Sequence, residues 1–268
     1  MDWQERSRLL IGDDNMEKLN QAHVILFGLG GVGSFVAEAL VRSGLGNLSL
    51  VEYDRVTESN RNRQIPALCS TVGMAKIEAA GARLLDINPN LHMFLYPMKM
   101  TAENLESILE GEAGLPAMIA DAIDDLPAKA SLIISAKRKS IPIISCMGAG
   151  YRLDPSRLRI GDISETHTCP LARKLRRSLR EAGIDKGVPV VWSDEIPVVP
   201  YATPITDREN TAGREGTTGS GDTVDRADTA DREDAAENAG PAGPASMIFV
   251  PAAAGLLMAS YIIRQLIL

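Results

Sequence analysis

The sequence predicts an α/β protein built on a Rossmann-like, doubly wound, mostly parallel sheet with a C-terminal extension. Three observations carry that prediction. A glycine-rich turn, GLGGVG at 28–33, joins a short apolar run to an amphipathic one. Runs of strand length then alternate with runs of helical period up to residue 150, the order that yields parallel strands with helices on both faces. The chain is 268 residues long and 45% hydrophobic but only 4% aromatic, so Ile, Leu, Val, Ala and Met must fill a sizeable core.

In chain order, HVILF (23–27) and LSLVE (48–52) flank a helical pattern from Gly33 to about Ser43; a strand, a helix and a strand within roughly 30 residues make one βαβ unit. MAKIEAAGARLLDIN reads as an amphipathic helix and HMFLYPM as a strand. TAENLESILEG opens on a threonine suited to N-capping and closes on glycine, the punctuation of a helix. AMIADAID is a buried strand running into a loop. PAKASLIISAKRKS, with proline in its first turn, is the next helix, and IPIISCMGAG a strand ending in glycines. RLRIGDIS adds a strand outside the repeat, GVPVVWSDE a loop, and LARKLRRSLREAGI a helix with Leu171, Leu175 and Leu179 on one face.

Residues 202–245 are Thr, Asp, Arg, Glu, Ala and Gly with almost no bulky apolar side chain. Such a segment buries too little surface to offset its ordering entropy, and a disordered acidic insert is expected there. Ten acids against four arginines in it carry six of the seven net negative charges of the chain. The remainder is close to neutral, so the acidic pI does not exclude a nucleic-acid partner. Beyond the insert, SMIFVPAAAGLLMASYIIRQLIL approaches the ~20 apolar residues that a membrane span needs, but Pro251, Gly255 and Arg264 interrupt it. The expectation is a short strand, MIFV, then an apolar helix packed on the domain or on a dimer interface, with no membrane span. Cys69, Cys146 and Cys169 form no CxxC pair, which excludes a disulfide scaffold and a four-cysteine zinc site and points to the cytoplasm. The charged N-terminus shows no apolar stretch of the signal-peptide kind.

The glycines Gly28, Gly30, Gly31 and Gly33 let a phosphate approach the main chain and the start of a helix, where Ser34 adds a hydroxyl. Glu52, at the end of the second strand, and Asp54, two residues on, suit ribose hydroxyls. All of this fits NAD, FAD or ATP equally. TESNRNRQI discriminates among them. Arg61 and Arg63 can meet β- and γ-phosphates, Asn60 and Gln64 add neutral hydrogen bonds, and Lys76 supplies a point charge. A hydride-transfer enzyme has no use for that cluster. ADAIDD supplies Asp121, Asp124 and Asp125 at the end of a parallel strand. Beside a triphosphate one of them can hold Mg²⁺. Asp124 is the choice, while Asp125 is equally suited to capping the helix near Pro127. Arg173, Lys174, Arg176, Arg177 and Arg180 line the polar face of their helix, a footprint for a nucleic-acid backbone. Lys137, Arg138 and Lys139 form a second patch with a lower claim.

GLGGVGS, VEYD, SNRNRQ, the VGMAK lysine and DAIDD occur in that order. Over roughly residues 6–150 the chain therefore resembles the adenylating enzymes of the ThiF, MoeB and ubiquitin-activating type. The resemblance implies that the loop around Gly31 binds ATP and that Glu52, where the family more often has aspartate, takes the ribose. It implies phosphate roles for Asn60, Arg63 and Lys76 and a Mg²⁺-linked role for Asp124. It also implies a homodimer in which Arg6 reaches the partner's ATP. NRQIPAL, IPIISCMGAG, LDPSRLRIGDISETHTCPLARKLRRSLREAGI and FVPAAAGLLMASYIIRQLI extend the resemblance to nearly the whole chain apart from the insert. They resemble the tRNA threonylcarbamoyladenosine dehydratase branch. That implies ATP-dependent activation of a carboxylate on the modified base at tRNA position 37, cyclisation with loss of water, and tRNA as the ligand of the basic helix. Some relatives carry a cysteine in the loop matching GVPVVWSDE, where this chain has Val190, so no thiol intermediate is expected there. Cys169 reads as a small half-buried residue ahead of a helix.

The expected organisation is an ATP-binding adenylation domain at 1–150, a basic helix and substrate-side extension at 151–201, the insert at 202–245 and the C-terminal strand and helix at 246–268. Two other functions fit parts of the sequence. One is an adenylyltransferase for the C-terminal glycine of a sulfur-carrier protein, with a sulfur-transfer protein as partner; the basic helix and the missing zinc cysteines speak against it. The other is a non-catalytic NAD-binding module, against which the NRNRQ cluster speaks.

Overall fold

A computed structural model of the chain describes residues 2–198 and 245–268. The expected insert lies outside the described residues except for Ala245. Strands β1 (His23–Phe27), β2 (Asn47–Val51), β4 (Met118–Asp121) and β5 (Ile143–Cys146) are buried almost end to end, as strands covered on both faces must be. With β3 (His92–Tyr96), β6 (Leu158–Asp162) and β7 (Pro189–Ser193) they form a seven-stranded sheet in the order β3-β2-β1-β4-β5-β7-β6. Every pairing is parallel except that of β6 with β7. The winding direction reverses between β1 and β4, which opens a crevice at their carboxyl ends.

Helices α3 (Gly33–Arg42) and α4 (Lys76–Ile87) cover one face of the sheet, and the C-terminal helix α8 (Phe249–Ile267) joins them there. Helices α5 (Leu105–Leu109), α6 (Leu126–Arg138) and α7 (Pro170–Glu181) cover the other. Two short helices, α1 (Glu5–Ile11) and α2 (Asp13–Gln21), precede β1. Met16 and Leu19 of α2 are buried, whereas α1 buries nothing.

Two expectations are corrected. GVPVVWSDE is not a loop: Pro189–Ser193 is β7, and Val190 and Val191 are fully buried between β5 and β6. The extension after residue 150 therefore completes the sheet. MIFV is not a strand either: Met247 and Ile248 are irregular and exposed, and Phe249 already opens α8. Val250, Pro251, Ala254, Gly255, Met258, Ala259 and Ile262 are buried on α8, a helical stripe that a strand cannot present to one face. By length and composition α8 could cross a membrane. Its stripe instead packs on α3, where a Cβ on Gly255 would stand 2.5 Å from the Val32 carbonyl oxygen.

Candidate functional site

A cavity of about 840 Å³ opens at the carboxyl ends of β1 and β4, near the upper end of the ~300–1,000 Å³ typical of small-molecule sites. Its first wall is the glycine turn. Gly28 sits at φ +90°, and a Cβ there would press to 2.9 Å on the Ala122 carbonyl oxygen. A Cβ on Gly33 would overlap the Gly28 carbonyl oxygen at 1.8 Å. These two glycines let the strand turn sharply into α3, while Gly30 and Gly31 line the cavity. Ser34 is buried, and its hydroxyl accepts from the Ile65 N–H at 3.3 Å. It fastens the next loop and does not line the cavity.

Glu52 lines the cavity, buried, with its carboxylate already engaged. One oxygen accepts from the Leu29 N–H at 2.8 Å; the other accepts from Tyr53 and Asp54 at 2.8 and 2.9 Å. It pins the glycine turn to the end of β2. A carboxylate has about four lone-pair sites, so room remains for a ribose hydroxyl. This anchoring has no signature in sequence. Asp54 accepts from the Lys76 ammonium at 2.9 Å within the cavity.

The SNRNRQ loop divides. Asn60 is buried and closes a capping box with Thr57, and its side chain reaches the cavity. Gln64 is also buried there. Arg63 lines the cavity, steadied by the Ser59 carbonyl at 2.9 Å and the Asn62 side chain at 2.9 Å. Arg61 does not join them. Three residues from Glu58 on a helical turn, it pairs with that acid at 2.6 Å on the outside.

The three acids of ADAIDD have separate environments. Asp121 is completely buried, accepting from Lys129 at 2.8 Å and Ser145 at 2.6 Å. Asp125 caps α6 by accepting from the Ala128 N–H at 2.9 Å. Asp124, lining the cavity, is the one of the three that caps no helix and holds no lysine. No cluster of three or more metal-ligating side chains occurs among the described residues. A Mg²⁺ ion fits that arrangement, because it is commonly held by one or two carboxylates and by substrate phosphates.

Arg6 is exposed on α1 and does not line the cavity of its own chain. On α7 the basic residues also divide. Arg173, Arg177 and Arg180 are exposed, and Lys174 lines the cavity. Arg176 is half-buried, donating to the Thr166 carbonyl at 2.7 Å and to the Thr166 hydroxyl, and burial pulls its pKa below the ordinary value. It belongs to the packing of α7 and not to an open basic face. The buried face of α7 is Ala172, Leu175 and Leu179, with Leu171 only partly covered. In the second basic patch, Lys139 is held by Glu106 and Glu110, and Lys137 by the Gly187 carbonyl. Cys169 is buried at the N-cap of α7 and lines the cavity.

The far wall comprises the start of α7, expected as a substrate-side element with Lys174 among its site residues, and the turn Met147–Arg152, which was missed in the sequence. Arg152, alone in YRLDP, carried no pattern. Lys129 was missed too, because a single lysine within PAKASLII looks like a solvated helical residue.

The ThiF family model matches residues 4–267. The tRNA threonylcarbamoyladenosine dehydratase of Bacillus subtilis is 39% identical over 98% of this chain and 93% of its own length. The sulfur carrier protein adenylyltransferase of Thermus thermophilus is 33% identical, but over 54% of this chain and 51% of its own. Among solved structures, the E. coli tRNA N6-threonylcarbamoyladenosine dehydratase in complex with ATP superposes with a TM-score of 0.78 at 28% identity, covering 99% of this chain and 96% of that one. The same enzyme with AMP gives 0.79.

Proposed function

The chain belongs to the ThiF family, and we propose that it is an ATP-dependent tRNA threonylcarbamoyladenosine dehydratase. The observation that carries this is the company Arg63, Lys76 and Asp124 keep with Gly30 and Gly31 in one cavity at the sheet's switch point. Two cations and a carboxylate beside a glycine turn suit a triphosphate and have no counterpart in hydride transfer.

The glycine turn and the start of α3 hold the phosphates, Glu52 and Asp54 the ribose, and Asn60 and Gln64 the edge of the triphosphate. Magnesium, held by Asp124 and the phosphates, would neutralise the charge collecting on pyrophosphate as it leaves. The substrate carboxylate attacks the α-phosphorus of ATP, forming a C–O–P bond as the bond to pyrophosphate breaks. A nucleophilic atom of the same modified base then attacks the acyl carbon, the side chain gives up one proton to solvent, and AMP leaves with the carboxylate oxygen. The water formally lost from the base is thereby accounted for in ATP cleavage. The nucleophile is tethered, so effective molarity replaces an enzyme thiol in the second step.

The exposed face of α7, with Arg173, Arg177 and Arg180, serves the tRNA backbone. The reaction belongs in the cytoplasm, where Cys69, Cys146 and Cys169, all free, stay reduced. The exposure of α1 supports a homodimer. The helix buries no residue and leaves Leu9 and Leu10 about 80% exposed, a surface for a second copy that would carry Arg6 toward the partner's ATP.

Calorimetry with ATP–Mg²⁺ and with NAD, and mass spectrometry of nucleosides after incubation with threonylcarbamoylated tRNA, test the assignment. ATP should bind, NAD should not, and the cyclic nucleoside should form. Arg63→Ala should lower turnover by ~10³-fold, and Asp124→Ala should abolish it. NAD binding without ATP binding would end the adenylation reading. ATP binding with adenylation of a sulfur-carrier C-terminus, and none of tRNA, would favour the carrier-protein enzyme.

A further inference from the structure

Arg63 and Lys76 stand on the glycine-turn side of the cavity, and three further cations line it from elsewhere: Lys99, which pairs with Asp125 at 3.7 Å, and two on the far wall. Arg152 follows the turn after β5, and Lys174 lies in the second turn of α7. We propose that Arg152 and Lys174 form the end of the site that recognises the carboxylate of the incoming modified base. This assignment rests on the dehydratase reading above and adds to it where the acceptor sits.

The local structure is built around Arg152. Arg152 is 3% exposed, and one amino group donates to the Thr168 carbonyl at 2.8 Å. Tyr151 and Thr168, the residues beside that contact, have φ values of +58° and +57°. Neither is glycine, and a β-branched threonine in the left-handed region is an outlier that costs on the order of 1–3 kcal/mol. The Thr168 hydroxyl offsets part of this by donating to the Ser193 carbonyl at 3.1 Å. Two strained positions are thus kept to aim one arginine along the cavity wall. Thr168 immediately precedes Cys169 and Pro170, so Arg152 is fixed at the base of α7. Lys174 is four residues past Pro170, about 6 Å up the helix axis on the cavity side. Gly148 closes the corner, with the Cys169 sulfur 3.4 Å from where a Cβ would be.

The chemistry asks for such an end. In the first step a carboxylate must approach a polyphosphate, and like charges meet. The cations beside the glycine turn are committed to phosphate. An arginine fork matches a carboxylate bidentately, and a nearby ammonium adds a second positive charge. Lys174 is in this account part of the acceptor site, whereas Arg173, Arg177 and Arg180 on the same helix face the tRNA backbone.

The test uses the full chain with ATP–Mg²⁺, threonylcarbamoylated tRNA, and two competitors: the free threonylcarbamoyladenosine nucleoside and its methyl ester. In the wild type the acid should compete and the ester should not. Lys174→Gln and Arg152→Gln should raise the KM for modified tRNA roughly 10- to 100-fold, the worth of one charged hydrogen bond, and abolish the acid–ester distinction. ATP affinity by calorimetry should stay within about twofold. Arg152→Lys, which keeps the charge and loses the fork, should be intermediate, and with Lys174→Gln it carries the test if Arg152→Gln does not fold. Competition by neither nucleoside, or by both equally, in the wild type overturns the assignment while leaving the dehydratase intact. So do variants that keep the wild-type KM and distinction, or that lose ATP binding to the same degree. A wild type that binds ATP but never converts the tRNA overturns the dehydratase reading, and the acceptor site with it.

Discussion

Lys129 and Lys76 each hold an aspartate at the carboxyl end of the same sheet, at 2.8 and 2.9 Å. In sequence the VGMAK motif marks Lys76, whereas Lys129 reads as an ordinary solvated helical lysine. In the fold they are opposites. Lys129 and Asp121 lie beneath the cavity with both side chains at 0% exposure, and Ser145 and the Cys146 carbonyl complete the lysine's hydrogen bonds. Lys76 is 7% exposed, but its partner Asp54 is 47% exposed and faces the cavity. A buried pair cannot be parted without stranding a charge. A pair with one wet partner can be parted when a phosphate arrives, and the aspartate turns to water or to ribose. One lysine holds the floor; the other is available to a ligand.

Breaking the floor should give the largest effect. Lys129→Ala leaves Asp121 buried and uncompensated and should cost about 3–5 kcal/mol in urea denaturation. The joint change Lys129→Met with Asp121→Asn removes both charges and should recover more than half of that loss. A single variant that loses no more than an exposed pair would, under ~1 kcal/mol, would mean that water reaches the floor and that the two lysines are alike.

Lys76→Ala should show the reverse balance. Stability should fall by less than ~1 kcal/mol, because the pair is half in water, while ATP affinity should drop about tenfold or more through one lost charge-assisted phosphate contact. Unchanged ATP affinity beside a large loss of stability would make Lys76 a second floor lysine.

The thiols report the same division more gently. Cys146, whose carbonyl holds Lys129, is fully buried, and burial pushes its pKa up to about 12. At pH 8 its thiolate fraction is then on the order of 10⁻⁴, against about a quarter for an ordinary thiol. In the native protein Cys69, exposed, should react quickly with a thiol reagent, and Cys146, buried with its thiol protonated, should react only on unfolding. In Lys129→Ala, Cys146 should become reactive at a rate set by opening of the floor. Rapid labelling of Cys146 in the wild type would contradict a closed floor.

How much of this was legible follows from how many residues each feature needs. The sheet was readable because HVILF, MIAD and IISC repeat the same short apolar run between helical patterns. The glycine-turn side of the cavity was readable because its residues sit together in GLGGVG and SNRNRQ. Even there only the family resemblance favoured Arg63 over Arg61; the residue types alone could not, since the neighbouring Glu58 claims Arg61 only once the helical turn at 58–60 has formed. β7 was lost because VVW is too short to outweigh its loop-like flanks, and it becomes a strand only between β5 and β6. The acceptor wall was invisible because Arg152 and Thr168 are 16 residues apart and meet through a backbone carbonyl, a contact that leaves no residue pattern.

The exposed end of α7 extends the scale of ion pairs to its wet limit and carries the smallest expected change in stability. Arg177 and Arg180 face Glu181 and Asp185 at 3.6 Å, with the four side chains 66–85% exposed. Contacts that long and that wet contribute little to the fold, so the two arginines are available to a polyanion. Replacing both with glutamate should leave the melting temperature and ATP affinity unchanged. Modified tRNA should bind more weakly, with log K against log salt flatter by about 1.4–1.8, the counterions released by two phosphate contacts. Arg176→Ala should do the opposite, lowering stability through the lost Thr166 contacts while keeping the slope. Fluorescence anisotropy across a salt series on the three proteins separates these outcomes. An unchanged affinity and slope in the charge-reversed protein would return that face of α7 to solvent. A slope that changed in Arg176→Ala alone would place the tRNA against the half-buried side of the helix, and the ordering of ion pairs by exposure would no longer order them by role.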